Sequence, residues 1–267
     1  MAPQENLSPP EVVGLIPAAG RATRIAPLPC SKELYPIGFR IDEQAHEARP
    51  KVASHYLLEK MRFAGISKAY FVLRSGKWDI PAYFGNGSML GMDLAYLTLE
   101  SSLGVPFTLD HAYPFLRHAM VAIGFPDILF SPNDAFVKLM KRQSETQPDI
   151  VLGLCPTSDI SKHDAVQIDK NGIVEDLIVK PMDRTLRYSW AIALWTPAFT
   201  EFLHGYVTQN ESRAPEAPEL IAGDAIKASV RAGLKAEAVI LSEEPYLDIG
   251  TPEGLAKATR QGVDGLI

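Results

Sequence analysis

The chain has 267 residues, of which 46% are hydrophobic and 22% are charged, and its formal net charge is −6. These values are ordinary for a globular protein with a sizeable core, and the length suits one large α/β domain or two small ones. A net negative charge argues against generic nucleic-acid binding through a basic surface, so we expect no nucleic-acid partner.

Cysteine usage and targeting signals bear on the compartment. The two cysteines, Cys30 and Cys155, lack the spacing of metal ligands, and we expect two free thiols in a reducing environment. The first residues do not resemble a secretory signal, and no apolar run reaches the ~20 residues that cross a bilayer. The sequence therefore predicts a cytoplasmic protein without a membrane partner.

Strand-like and helix-like segments alternate along the chain, which predicts an α/β fold with a mostly parallel central sheet. In chain order, the patterns predict strands at 12–18, 69–73, 93–99, 119–125 and 149–155, antiparallel strands within 164–195, and helices at 51–65, 133–147, 196–206, 219–233 and 251–262. Continuous apolar strands of this kind are typical of a sheet that is covered on both faces.

Local signals predict where some of these elements begin and turn. Asn133 is the expected N-cap of its helix, and a Thr-Pro pair at 196–197 is expected to start another. An Asn-Gly pair within 169–174 predicts a hairpin turn. The polar segments 40–50 and 207–218 are expected to be surface loops, and the whole chain, 1–267, is expected to be one domain.

The segment GLIPAAGRATRIAPLPCSKELYP at 14–36 leads from a predicted strand into small residues and three cations. Small residues let the backbone approach a ligand closely, so that amide groups can point at phosphate oxygens. Arg24 and Lys32 add charges that bind phosphate through charge-assisted hydrogen bonds. The alternative is a tight turn with solvated cations, and the segment is neither a Walker loop nor a dinucleotide fingerprint. The candidate nucleotide-binding residues in this loop are Ala18, Ala19, Gly20, Arg21, Ala22 and Thr23.

The order of residues in AAGRATRIAP and SKELYP resembles the signature of the sugar-1-phosphate nucleotidyltransferases, the family of glucose-1-phosphate thymidylyl- and uridylyltransferases. Ala19 and Ala22 stand where that family usually has glycine. The resemblance implies that the loop wraps a nucleoside triphosphate, that Arg24 contacts its phosphates and that Lys32 assists the departing pyrophosphate. It also implies a three-layer α/β sandwich with a mixed, mostly parallel sheet of the Rossmann type, and it covers residues 12–260.

Two aspartates match the metal ligands of that family. Asp127 follows the strand-like run VAIGF, and Asp248 lies in YLDIGTPEGL, which is very similar to a family motif. The resemblance implies that the pair binds Mg²⁺, a cation that prefers carboxylate and phosphate oxygens. Either aspartate alone is more often a turn or capping residue. Phe125 is a candidate nucleotide-binding residue beside Asp127.

The residues that match the base-reading and acceptor-binding positions depart from the family pattern. His111 stands at the position of the base-reading glutamine, so the preferred base stays open, and the alternative is an ordinary partly buried histidine. Lys180 in IVKP is retained and is implied to anchor the acceptor phosphate. Val179, Ile192 and Ile221 replace small or polar residues at the sugar-binding positions. An aliphatic lining predicts an unusual acceptor: a deoxysugar phosphate, a cyclitol phosphate or another phosphorylated small molecule.

The sequence predicts transfer of a nucleoside monophosphate from a nucleoside triphosphate to a sugar-1-phosphate or a similar acceptor. The acceptor phosphate would attack the α-phosphorus in line and release pyrophosphate. The main alternative is a non-catalytic regulatory subunit that binds a nucleotide sugar. A dinucleotide-dependent oxidoreductase is a weaker alternative, because the chain lacks its glycine fingerprint. Homo-oligomers are common in the family, but the residues themselves carry no interface signal.

Overall fold

A computed structural model describes residues 11–42, 46–157, 159–211 and 219–261. The strands within these ranges are β1 (Val12–Ala18), β2 (Pro36–Asp42), β3 (Glu47–Val52), β4 (Lys68–Arg74), β5 (Asp93–Leu99), β6 (Met120–Gly124), β7 (Ile128–Leu129), β8 (Ile150–Pro156), β9 (Asp164–Ile168), β10 (Val174–Val179), β11 (Tyr188–Trp195), β12 (Ala236–Ile240) and β13 (Leu247–Asp248). The α-helices are α1 (Ala53–Phe63), α2 (Asp79–Phe84), α3 (Val105–Asp110), α4 (Tyr113–Leu116), α5 (Ala135–Thr146), α6 (Pro197–Asn210), α7 (Ala222–Arg231) and α8 (Pro252–Gln261).

A mixed sheet of nine described strands forms the centre of the protein. Strands β5, β4, β1 and β6 lie side by side and run parallel, which places their carboxyl ends at one edge. Strand β11 then pairs antiparallel with β6 and with β8, and β12 runs parallel to β8. The antiparallel hairpin β9–β10 extends the sheet beyond β11. This topology confirms the predicted mixed α/β fold.

Helices cover both faces of the sheet and make three layers. Side chains of β1 alternate between the two faces: Val13 and Leu15 face one core cluster, while Ile16 and Ala18 face the other. Helices α3, α4, α6 and α7 pack in the first cluster, and α1, α2 and α5 pack in the second. Because both faces are covered, the inner strands are apolar throughout, as their sequences predict.

The local start signals hold only in part. Helix α6 begins at Pro197 as expected, but the Thr196 side chain makes no capping hydrogen bond. The N-cap prediction at Asn133 is wrong, because helix α5 begins one residue later, with Asp134 at the N-cap position. The amide oxygen of Asn133 instead accepts a hydrogen bond of 2.6 Å from the Lys60 ammonium. The Asn133 side chain therefore makes a tertiary contact with α1 and does not cap α5.

The prediction of a surface loop at 40–50 is also wrong. Strands β2 and β3 form an antiparallel hairpin there, and its tip lies outside the described residues. The exposed side chains of Phe39 and Ile41 alternate with polar ones, a period-2 signal that the overall polarity obscured. Of the second predicted loop, 207–210 continues helix α6, and 212–218 lies outside the described residues. Within the part of the chain that the structure describes, no helix is long and apolar enough to cross a membrane.

Candidate active site

A cleft of about 900 Å³ opens beyond the carboxyl ends of β1 and β6. In open α/β sheets, ligands bind in the crevice at the carboxyl ends of the parallel strands. The loop after β1 and the segment after β6 form one side of the cleft. The start of β9 and the amino end of α7 form the other side, and strand β13 lies between the two.

The loop after β1 presents small and cationic residues to the cleft. Gly20, Arg21, Thr23 and Arg24 are exposed and line it, and Ala19 lines it from a buried position. The predicted residues Ala18 and Ala22 do not line the cleft. Ala22 has a φ of +54°, a left-handed conformation that favours glycine. The loop thus keeps, with an alanine, the backbone shape for which the related motif uses glycine.

Asp127 and Asp248 meet at one place although 121 residues separate them in the chain. The short strands β7 and β13 pair antiparallel, which brings the segment after Asp127 beside Asp248, and the amide of Ile249 donates to the Asp127 carbonyl at 3.0 Å. A Cβ built on Gly250 would lie 2.8 Å from Asp127 Oδ2 and 2.9 Å from Asp248 Oδ1. The two carboxylates therefore flank a space that this glycine leaves open.

Burial and the neighbouring Asp127 charge raise the pKa of Asp248 above its usual range, despite the nearby Arg24 guanidinium and the Gly250 amide. Two carboxylates that share a space disfavour each other's charge, and a bound cation relieves that repulsion. Within the described ranges, no cluster of three or more His, Cys, Asp or Glu side chains forms a complete metal site. A cation between Asp127 and Asp248 would thus share its remaining ligand positions with substrate oxygens or water.

Each carboxylate is paired with one of the predicted phosphate-binding cations. Lys32 Nζ lies 2.5 Å from Asp127 Oδ2, and Arg24 Nη2 lies 3.5 Å from Asp248 Oδ2. Burial alone would lower the pKa of Lys32, but the Asp127 and Glu33 charges outweigh it and raise that pKa. Lys32 is therefore fully protonated at neutral pH and carries a positive charge at the cleft floor.

Two lysines, a histidine and a tyrosine line the opposite side of the cleft. Lys162, His163 and Lys180 all lie there. His163 Nδ1 and the Tyr246 hydroxyl are 2.8 Å apart, and the Lys180 amide donates to the His163 carbonyl at 3.1 Å. Lys180 has a φ of +45°, which is unusual for a residue with a side chain. These contacts fix the backbone from which the exposed Lys180 side chain extends.

A half-buried carboxylate, Asp164, lines this side. Burial raises the pKa of Asp164, while hydrogen bonds from the Trp190 indole and the Gly223 amide oppose the rise. Gly223 lies in the first turn of α7, so Asp164 occupies the helix N-terminus that would otherwise bind an external anion. A phosphate on this side must therefore depend on the lysines.

The sequence and the fold were compared with known proteins. A family model described as nucleotidyl transferase matches residues 13–264. The chain belongs to this family. A protein from Bacillus anthracis described as a glucose-1-phosphate thymidylyltransferase, in complex with a sucrose, is similar in fold: the TM-score is 0.77 at 19% identity, over 95% of this chain and 96% of that one. A UDP-glucose pyrophosphorylase complexed with UDP-glucose gives a TM-score of 0.73 at 18% identity, over 94% of this chain and 98% of that one.

Membership in the nucleotidyl transferase family confirms the family prediction, and the fold likeness confirms the predicted fold class. The structure brings seven of the predicted site residues together with the small residues of the loop in one cleft. These residues are Arg24, Lys32, Phe125, Asp127, Lys180, Ile221 and Asp248. Their individual roles remain predictions.

Besides Ala18 and Ala22, three predicted residues do not line the cleft. Ile192 is fully buried in the opposite core cluster, so its predicted place at the acceptor is wrong. An irregularity in β11 between Trp190 and Ile192 turns these residues to opposite faces of the sheet. His111 lies at the end of α3, with Nε2 3.1 Å from the Thr98 carbonyl oxygen, and Val179 pairs with β9 beside the cleft.

Several residues that line the cleft were not predicted from the sequence. The segment 101–105 lines the cleft, and Gly104 forms a bridge with Leu220, close to Ile221. Thr108 also lines the cleft and shares a hydrogen bond of 2.8 Å with Ser102. These residues carry no charge pattern or motif, so only their place in the fold identifies them. His163, Asp164 and Glu219 also line the cleft and were not among the predicted site residues.

Proposed function

We propose that the chain transfers a nucleoside monophosphate from a nucleoside triphosphate to a phosphorylated small molecule and releases pyrophosphate. The observation that carries this proposal is that one cleft holds two groups of cationic side chains, one on each side. Arg24 and Lys32 extend toward the place where a triphosphate would lie, and Lys180 extends from the other side. Membership in the nucleotidyl transferase family supports the same reaction class.

We also propose that Asp127 and Asp248 hold Mg²⁺. The space left by Gly250, between two carboxylates that repel each other, fits a small hard cation with oxygen ligands. When bound, this ion supplies positive charge to the phosphate oxygens of the triphosphate.

The protein's own part in the reaction is positioning and neutralisation of charge. The loop amides and Arg24 would orient the triphosphate, and Lys32 would stabilise the negative charge that builds on the departing pyrophosphate. Lys180 would hold the acceptor phosphate, with Lys162 beside it. That phosphate is already ionised at neutral pH, so the attack needs no strong general base. Orientation of the two reactants then contributes most of the acceleration.

The lining of the acceptor side supports a hydroxylated acceptor. An aliphatic lining was expected from three replaced positions, but Ile221 is the one aliphatic replacement that lines the cleft. Asp164, Ser189, Trp190 and Glu219 line it as well and supply hydrogen-bonding groups. Because a buried polar group costs about 1–3 kcal/mol when it is left unpaired, such a lining favours ligands that bring hydrogen-bond donors. We propose a sugar or cyclitol phosphate as the acceptor.

The proposed compartment is the cytoplasm. Both cysteines are free thiols in the structure. Free thiols are usual in proteins that work in a reducing environment, which supports this location.

The decisive experiment measures pyrophosphate release with Mg²⁺ for each of the four common nucleoside triphosphates against a panel of sugar-1-phosphates and cyclitol phosphates. Release with one pair is expected, and Asp127→Asn should abolish it. Asp93→Asn is the matched control, because Asp93 is an exposed aspartate at the start of β5, away from the cleft. Lys180→Ala should raise the acceptor KM and lower kcat. Tight binding of a nucleotide sugar without any release would favour the regulatory alternative instead.

A further inference from the structure

The turn that carries Lys32 is fastened on both sides by one neighbouring segment. The backbone amide and the hydroxyl of Ser31 both donate to the Asp79 carboxylate, at 2.6 and 2.7 Å. Glu33 Oε1 accepts a hydrogen bond of 2.8 Å from Lys77 Nζ. Lys77 and Asp79 both belong to the stretch 75–79, which connects β4 to the first turn of α2. Residues on either side of Lys32 are thus tied to the same stretch.

The two ties have different physical characters. Asp79 holds the backbone of the turn, since it binds an amide hydrogen as well as a hydroxyl. Lys77 instead compensates a charge. The Glu33 side chain is fully buried, Lys77 is nearly so, and Glu33 Oε2 has no hydrogen-bond partner among the described residues. Removal of one partner from such a pair leaves an uncompensated buried charge, which is strongly unfavourable.

Besides Lys77, Lys32 is a second cation beside Glu33. Glu33 follows Lys32 directly in the chain, and both residues line the same cleft. Lys32 now directs its ammonium to Asp127, 2.5 Å away, in the cleft. Without Lys77, the buried carboxylate of Glu33 would compete with Asp127 and with any bound phosphate for this ammonium.

We propose that Lys77 and Asp79 are positioning residues that keep Lys32 available to the triphosphate. Asp79 fixes the turn, and Lys77 neutralises Glu33 so that Lys32 stays directed into the cleft. This inference rests on the proposed function, in which Lys32 contacts the triphosphate. Neither Lys77 nor Asp79 lines the cleft, so both act through the turn and not on the ligand.

The test measures the Kd of each of the four nucleoside triphosphates with Mg²⁺ by calorimetry. Lys77→Met should weaken the tightest of them about tenfold or more, which corresponds to the loss of one hydrogen bond to a charged group. Adding Glu33→Leu to that variant should restore binding to within about threefold of wild type, because the competing charge is then gone. Lys68→Met is the matched control: it breaks a 2.8 Å pair with Glu11 at the exposed start of β4, the strand that precedes Lys77, and should leave the Kd unchanged.

Rescue separates charge compensation from a merely structural role. A double variant that binds as weakly as Lys77→Met, or a folded Lys77→Met that binds like wild type, would overturn the role of Lys77. If Lys77→Met does not fold, Ser31→Ala and Asp79→Asn test the other tie, and each should weaken binding several-fold. If both of these variants bind the triphosphate as tightly as wild type, the inference is overturned and the proposed function is not. A wild-type protein that binds none of the four triphosphates would overturn the proposed function, and the inference with it.

Discussion

Replacement of Gly250 by alanine tests directly whether Asp127 and Asp248 share a cation. The new methyl carbon would lie 2.8 Å from Asp127 Oδ2, 2.9 Å from Asp248 Oδ1 and 3.1 Å from Arg24 Nη2. The φ of Gly250 lies outside the left-handed region, so alanine brings no backbone strain. Its amide, which donates to Asp248 Oδ1 at 2.7 Å, is kept. The substitution therefore narrows the space between the carboxylates and also presses on the Arg24 guanidinium.

The size of the effect follows from these distances. Ordinary contact of a methyl carbon begins near 3.4 Å, so each carboxylate oxygen must withdraw by about 0.5–0.6 Å from its present position. The displacement drives the carboxylates apart, which opposes a shared cation. A misplacement of about 1 Å costs about 100-fold in rate, so roughly half of it in two ligands at once should reduce kcat/KM about 10- to 100-fold.

The assay compares pyrophosphate release and Mn²⁺ affinity between wild type and Gly250→Ala, with thermal unfolding as a check on folding. Gly205→Ala is the matched control: it lies within α6 with no atom within 4 Å of the added Cβ, so it should raise stability by about 0.5–1 kcal/mol and leave the rate unchanged. Activity and Mn²⁺ affinity within twofold of wild type in Gly250→Ala would refute a cation site between these carboxylates.

Three further substitutions test the energetics of the fold. Burial, together with the charges of nearby cationic side chains, lowers the pKa of His55 to about 4, so the folded protein binds this proton more weakly than the unfolded chain does. The free energy of unfolding should therefore fall by up to about 3 kcal/mol as the pH drops from about 6.5 to 4. Urea unfolding at several pH values measures this loss, and in His55→Asn the free energy of unfolding should depend less on pH over the same range. Gly153→Ala would place a Cβ 2.6 Å from the Ile192 side chain and should cost about 1–3 kcal/mol in the same assay, whereas no loss would place Ile192 elsewhere. Thr200→Val removes the acceptor, 3.0 Å away, of the buried Trp195 indole and should lower the free energy of unfolding by about 1–3 kcal/mol, with unchanged stability counting against this bond.

The predicted residues that the structure brings together in the cleft are mostly those with a recognisable short pattern in the sequence, and their roles stay predictions. Arg24 and Lys32 follow a predicted strand within a compact motif, and Asp127 and Asp248 adjoin the short strands that pair with each other. Asp127 follows β6 at the carboxyl edge of the parallel strands, where ligands gather, and the antiparallel pairing of β7 with β13 brings Asp248 beside it. For these four residues, short sequence motifs are therefore enough to predict that they lie together.

Prediction failed where the face of the sheet on which a side chain lies depends on a contact with a segment distant in sequence. Ile192 and Trp190 are two residues apart, and a regular strand would turn both to one face. The irregularity in β11 is set by its pairing with β8, which the local sequence of β11 does not encode. Asp164 was missed for a similar reason, because its hydrogen bonds come from β11 and α7, and nothing near it in sequence marks a ligand.

The ion pairs of the cleft predict a reversal in how the triphosphate binds. Asp127 holds Lys32 and also repels phosphate, so without a divalent ion it opposes the triphosphate twice. In EDTA, Asp127→Asn should bind the nucleotide about tenfold more tightly than wild type, since Lys32 is released to a phosphate oxygen. With Mg²⁺ the order should reverse, because the variant lacks a carboxylate for the cation. Calorimetry of both proteins under both conditions measures this directly. Weaker binding by the variant in EDTA would show that Lys32 does not reach the triphosphate and that its pair with Asp127 serves the fold instead.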